Sequence, residues 1–175
     1  MAQKGLDNPL YQSGPFSFLH GMSGTHEDGT AYFTPEQGQA LTDAWIRYNF
    51  NLSQQALSDG RPDWALFHFG LALHPSQDTT SPAHNDYNGL LGTHTFMPWR
   101  DKAPLSVEIP HVASEAHYPG DNSNLARATR GLFDMFFNQQ SLPSTPVFNT
   151  WGVDPVQKPP YWYPLYNFLF QQPKG

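Results

Sequence analysis

The chain has 175 residues, a formal net charge of −6, 14% charged and 15% aromatic residues, 17 prolines, 14 glycines and no cysteine. Its length fits one domain that can bury a hydrophobic core, and so low a charge content excludes a polyelectrolyte-type disordered chain. The negative balance makes the bare protein a poor partner for nucleic acid or an anionic membrane, and the lack of cysteine excludes disulfides, thiolate metal sites and cysteine nucleophiles, so any zinc must be held by the eight histidines and the carboxylates.

Met1–Leu10 is polar and carries Gly5 and Pro9, so no signal peptide is expected, and no apolar run is long enough to span a bilayer. The first 30 residues read as extended and loop-like. Thr34-Pro35-Glu36-Gln37 then marks a helix start: Thr34 can cap, Pro35 suits the first helical position and Gln37 completes a capping box. Leu41, Trp45, Tyr48 and Leu52 follow at helical spacing, Ala44 and Ala56 fill in, and Gly60 is a natural stop. A second helix begins near Arg61-Pro62-Asp63 and runs through Trp64, Leu66, Phe67, Leu71 and Leu73 to His74 and beyond. It is apolar on nearly every side except His68, which predicts a central, buried helix. Pro75 inside it deletes one backbone bond and predicts a kink. Thr79–Pro82 ends it.

Asn85–Pro104, with Gly89, Gly92, Pro98 and Pro104, reads as a long loop. Pro110 opens a short helix, His111–His117, stopped by Pro119-Gly120. Asp121 or Ser123 caps a fourth helix to about Gln140, with Leu125, Ala128, Leu132 and Phe136 on its apolar stripe. Ser141–Gly175 holds seven prolines and eight aromatics, too irregular for a continuous helix and too aromatic for a solvated linker. The expected fold is mainly α: a small helical bundle with long loops over residues 1–140, and an aromatic, proline-rich tail over 141–175 that packs on the bundle or forms a contact surface.

The second helix sets His74 and Asp78 four residues apart, on one face, where an imidazole and a carboxylate can chelate one ion. His84 follows six residues on, and His111 and Glu115 repeat the pairing on another helix. Antiparallel helices could bring the two pairs face to face, as in metal sites of bundle cores. A single histidine at a helix end is usually structural, but two such pairs with a histidine between them, in a cysteine-free chain, point to a metal centre. The remaining histidines have plainer readings. His68 lies about 240° around the helix from His74, and His117 stands in the same relation to His111. His26 and His94 fall in loops. Asp86 reads as solvated, or as a carboxylate that orients a ligand.

The stretch Phe69-Gly70-Leu71-Ala72-Leu73-His74-Pro75-Ser76-Gln77-Asp78-Thr79-Thr80-Ser81-Pro82-Ala83-His84 resembles the zinc-binding core of the zinc-dependent phospholipase C / S1-P1 nuclease superfamily. It looks closest to the toxin-like domains at the C-terminus of Rhs-type polymorphic proteins. The resemblance covers about His20 to Gln140 and is specific in the central motif. It implies that His74 and Asp78 hold a first zinc together with His20, which matches an upstream family histidine by position, with His26 the alternative to it. It implies that His84, His111 and Glu115 hold a second. Asp7, matched by spacing alone, stands for the family's aspartate ligand and general base. The resemblance associates Glu at position 115 with phospholipases and Asp with nucleases. This chain has no match for the ligands of the family's third zinc, so two ions are expected, or the missing part lies upstream in a longer parent.

Two zinc ions would lower the pKa of a bridging water and stabilise the charge of a phosphodiester transition state, with a nearby carboxylate taking the proton. They would also add local positive charge that net charge does not register. The expected function is therefore a phospholipase C-like phosphodiester hydrolase, an antibacterial or host-directed toxin domain secreted or delivered as part of a larger Rhs-type chain and opposed by an immunity protein. Trp99, Trp151, Tyr161, Trp162 and Tyr163 either anchor it at a lipid interface or pack the core. One alternative is an S1/P1-type nuclease acting on short single strands, with no stable nucleic-acid complex expected; another is a non-catalytic module that zinc stabilises by closed coordination.

Overall fold

The computed structural model describes residues 14–24, 26, 30–81, 84 and 120–154. Its elements are a 3₁₀ helix, Gly14–His20, and four α-helices: α1 Pro35–Ser58, α2 Pro62–Asp78, α3 Asn124–Phe137 and α4 Val147–Trp151. The fold is mainly α, with no strand among the described residues. The 3₁₀ helix is a correction, because the first 30 residues carry no periodic signal long enough to reveal seven residues of 3₁₀. The loop expected over 85–104, the short helix at His111–His117 and the end of the tail from 155 lie outside the described residues.

The chemistry of the helix ends follows the sequence closely. At the start of α1 the Thr34 hydroxyl accepts from the Gln37 N–H and the Gln37 side chain accepts from the Thr34 N–H, with Pro35 at the first helical position. Its end is a Schellman turn. Gly60 has φ 69°, its N–H donates to the Leu57 carbonyl and that of Arg61 to the Ala56 carbonyl. This turn folds α2 back antiparallel on α1, so that Trp45 meets Leu71 and Asn49 meets His68. α3 opens on Ser123, whose hydroxyl accepts from the Ala126 N–H.

The buried face of α1 corrects the expectation. Leu41, Tyr48 and Leu52 are not its core residues; Tyr48 is 61% exposed. The face is turned by one residue, about 100°, onto Thr42, Ile46, Asn49, Phe50 and Ser53. The buried polar groups bond locally, which offsets their desolvation. Ser53 Oγ donates to the Phe50 carbonyl at 2.6 Å and Asn49 Nδ2 to the Trp45 carbonyl at 3.1 Å. Thr42 Oγ1 lies 2.8 Å from the Phe18 carbonyl and 2.9 Å from that of Gly38, tying the 3₁₀ helix to α1.

α2 lies between α1 and α3, as its apolar composition implies, but only its second half is buried throughout most of its circumference. Trp64, Leu66 and Phe67 in the first turns are exposed. Trp64 stacks on His68 and meets Phe67 edge-on, outside the core. The core joins Ile46, Phe50 and Ala56 of α1, Ala65, Phe69, Ala72 and Leu73 of α2, Leu132 and Phe136 of α3, and Val147 of α4. Phe69 stacks on Phe136 at 4.6 Å between ring centres. Residues 141–154 lie on this core: the Val147 N–H donates to Asp43, Arg47 to the Thr145 carbonyl, and the Trp151 ring lies over Gly131.

Candidate metal centre

Three side chains from two elements converge at the C-terminal half of α2. His20 ends the 3₁₀ helix, and His74 and Asp78 are one turn apart on α2. The 3₁₀ helix is held against α1 by Thr42 and by Phe18, whose ring meets Trp45 edge-on at 6.5 Å. That contact aims His20 at α2.

His74 Nε2 is 3.0 Å from His20 Nδ1, His20 Nδ1 is 3.1 Å from Asp78 Oδ2, and His74 Nε2 is 3.2 Å from the same oxygen. The two imidazoles stand edge-to-face, 85° apart, and the side chains of His20, His74 and Asp78 are 7%, 14% and 17% exposed. These atoms form a nearly equilateral triangle. Donors about 2.0–2.1 Å from one zinc ion are about 3.3–3.4 Å apart in a tetrahedron, and about 2.8–3.0 Å apart on one face of an octahedron. The observed edges fall between the two, so shifts of a few tenths of an ångström would seat an ion. The residues could hold a metal ion, and this is the only such His/Cys/Asp/Glu group among the described residues.

The electrostatics match. Burial alone would push the Asp78 carboxyl up, but the charges of His74 and His84, with hydrogen bonds from His20 and His74, hold it well below the ordinary carboxylate value. Asp78 is therefore an anion, and a bound cation would stand in for the charges of the protonated histidines, since only deprotonated imidazoles ligate a metal.

Pro75 sits between the two α2 ligands without separating them: His74 and Asp78 remain in contact across one turn. A proline at 75 leaves the carbonyl of Leu71, four residues earlier, without its helical donor. Trp45 Nε1 of α1 donates to that carbonyl at 3.1 Å. The indole replaces the missing backbone bond and pins α2 one turn before His74. Sequence periodicity marks Trp45 as a facing residue only; the signal that could have found this role is that a helical proline leaves an acceptor for a neighbour to fill.

His84 is buried beside the triangle, its Nδ1 donating to the backbone carbonyl of His20. That bond places the proton on Nδ1 and makes Nε2 the nitrogen with ligand character. His84 is not part of the three-residue group. His111, Glu115 and Asp7, the other expected site residues, lie outside the described residues, as do His94, His117 and Asp86. His26 is exposed and stacks on Tyr32, with ring centres 3.5 Å apart, and stands outside the group. His68 faces α1, its Nδ1 3.0 Å from Asn49 Oδ1. Desolvation and the nearby Arg61 charge lower its pKa, so it is a neutral packing histidine at pH 7.

No protein-family model, curated protein or solved structure matches this chain.

Proposed function

We propose that the chain is a zinc-dependent phosphodiester hydrolase of phospholipase C type, a toxin domain of a larger secreted or injected protein. The observation that carries this reading is the triangle of His20 Nδ1, His74 Nε2 and Asp78 Oδ2, with edges of 3.0–3.2 Å. Nitrogen and carboxylate donors leave zinc a strong Lewis acid, and three of them stand together among the described residues. Zinc bound there supplies a water of lowered pKa and polarises a phosphoryl oxygen. The imidazoles and Asp78 hold the ion. His84, His111 and Glu115 hold a second ion in this reading, and Asp7 is the first ion's further ligand and the general base that takes a proton from the water. The acid at 115 favours a phospholipid over a nucleic acid, on the resemblance described above, and the net charge of −6 favours it as well.

The test is a zinc titration of metal-free protein, followed by phosphocholine release from phosphatidylcholine vesicles and cleavage of single-stranded DNA. Stoichiometric zinc and vesicle hydrolysis, both lost in His74→Ala, support the reading. Cleavage of DNA alone moves the protein to the nuclease alternative. Tight zinc with neither activity makes it a metal-stabilised module. A stoichiometric preference for ferrous iron, which the two-histidine, one-carboxylate set also suits, overturns the zinc chemistry.

A further inference from the structure

The C-terminal end of α2 is fixed by a residue far along the chain. Asp154 is 6% exposed, and its carboxylate accepts from the backbone N–H of Asn124 at 2.7 Å and of Leu125 at 2.9 Å. These are the first two donors of α3, which have no partner inside the helix. With Ser123 taking the third, at 3.0 Å, the first turn of α3 is satisfied, and a buried carboxylate rests on its positive end. The backbone N–H of the same residue donates to the Thr80 carbonyl at 2.8 Å. Thr80 is 1% exposed and lies two residues past Asp78. On the other side of that turn, Gln77 Nε2 donates to Thr129 Oγ1 of α3 at 2.9 Å.

We infer that Asp154 is a positioning residue for the metal centre: through its charge it seats the tail on α3, and through its backbone it fixes the turn that carries Asp78. This rests on the reading of His20, His74 and Asp78 as metal ligands. Asp78 is the last residue of α2, and the carbonyls of that turn are bonded locally: Pro75 to the Thr79 N–H, Ser76 to the Thr79 hydroxyl, Gln77 to the Thr80 N–H and hydroxyl, and Asp78 to the Ser81 N–H. The Asp154 bond joins this closed turn, through the Thr80 carbonyl, to the tail seated on α3, and so sets where the turn stands. Without it the turn would stay closed but keep only the Gln77–Thr129 tie to α3, and the Asp78 carboxylate at its end would shift against the two histidines. The clamp sits in the backbone that the ligand belongs to, so its loss is expected to act on metal geometry before it acts on the fold.

The experiment uses the full chain loaded with cobalt(II), whose visible absorption reports donor set and geometry. Asp154→Ala is expected to bind cobalt about tenfold more weakly, the scale on which loss of a ligand's supporting contact acts. Its absorption band is expected to change shape. Asp154→Asn keeps one acceptor oxygen and is expected to fall between, and it is the variant to read if Asp154→Ala does not fold. Val147→Ala, which removes core packing from the same stretch of tail, is expected to lower thermal stability and leave the spectrum as in the wild type. An unchanged spectrum and affinity in the Asp154 variants overturns the inference, and so does an equal spectral change in Val147→Ala. Absence of cobalt binding in the wild type overturns the metal reading itself and is thereby told apart from failure of the clamp.

Discussion

Trp45 and Pro75 form a pair whose value depends on both members. Trp45→Phe keeps the ring and its contact with Phe18 but removes the donor to the Leu71 carbonyl. A partly buried acceptor left without its partner costs about 1–3 kcal/mol. In a Pro75→Ala background, the new N–H at 75 can bond Leu71 from within the helix. Trp45→Phe is then expected to cost markedly less, and denaturant unfolding of the four proteins gives the coupling. Equal costs in both backgrounds would show that the indole bond does not replace the helical one. Two of the three residues of the candidate metal centre can be read from the sequence for a simple reason. The spacing of His74 and Asp78 belongs to one helix, and helical periodicity fixes it. His20 stands 54 residues before His74; no local rule joins them, and only a resemblance to a known zinc motif paired them.

At the scale of the element, α1 and α3 end in the same way on different residues. Gln139 takes the position that Gly60 holds after α1: its φ is 52°, its N–H donates to the Phe136 carbonyl, and the Gln140 N–H donates to that of Met135. A side chain in the left-handed region costs about 1 kcal/mol relative to glycine. Gln139→Gly is expected to raise the melting temperature by a few degrees, with calorimetry as the check; a lowered value would mean that the extra freedom of the unfolded glycine dominates. The starts of α1, α2 and α3 and the Gly60 stop were readable because each is written in two or three adjacent residues; α4, inside the tail, and the stop at Gln139 were not. The inward face of α1 was not. Large apolar residues at 41, 45, 48 and 52 outweighed the small ones at 42, 49 and 53 in any periodicity argument. Yet α1 buries Thr42, Asn49 and Ser53, whose side chains bond nearby backbone, on the same face as Ile46 and Phe50.

At the scale of the whole molecule, the stretch from 141 to 154 is tied to all three long helices. Asp43 caps Val147 of α4, Arg127 donates to the Trp151 carbonyl at 2.9 Å, and Asp154 joins α3 to the turn after α2. Gly131 permits this, since a Cβ there would lie 2.2 Å from the Trp151 ring. Alanine is the better helix former by about 1 kcal/mol, yet Gly131→Ala is expected to destabilise the protein and expose Trp151, seen as a lower melting temperature and a red-shifted tryptophan emission. A stabilised protein with unchanged emission would sink that account. Composition identified the tail as something other than solvated linker, but nothing in its residues says where on the bundle it lands: the Asp43–Val147 contact spans 104 positions. The distance along the chain from Thr80 to Asp154 also sets a schedule for synthesis. The ribosome adds roughly 5–20 residues per second, so on the order of ten seconds separates the appearance of Thr80 from that of Asp154. Through that interval the nascent chain carries His20, His74 and Asp78 without Asp154, and the turn after α2 gains its bond to the tail only once residue 154 has been made.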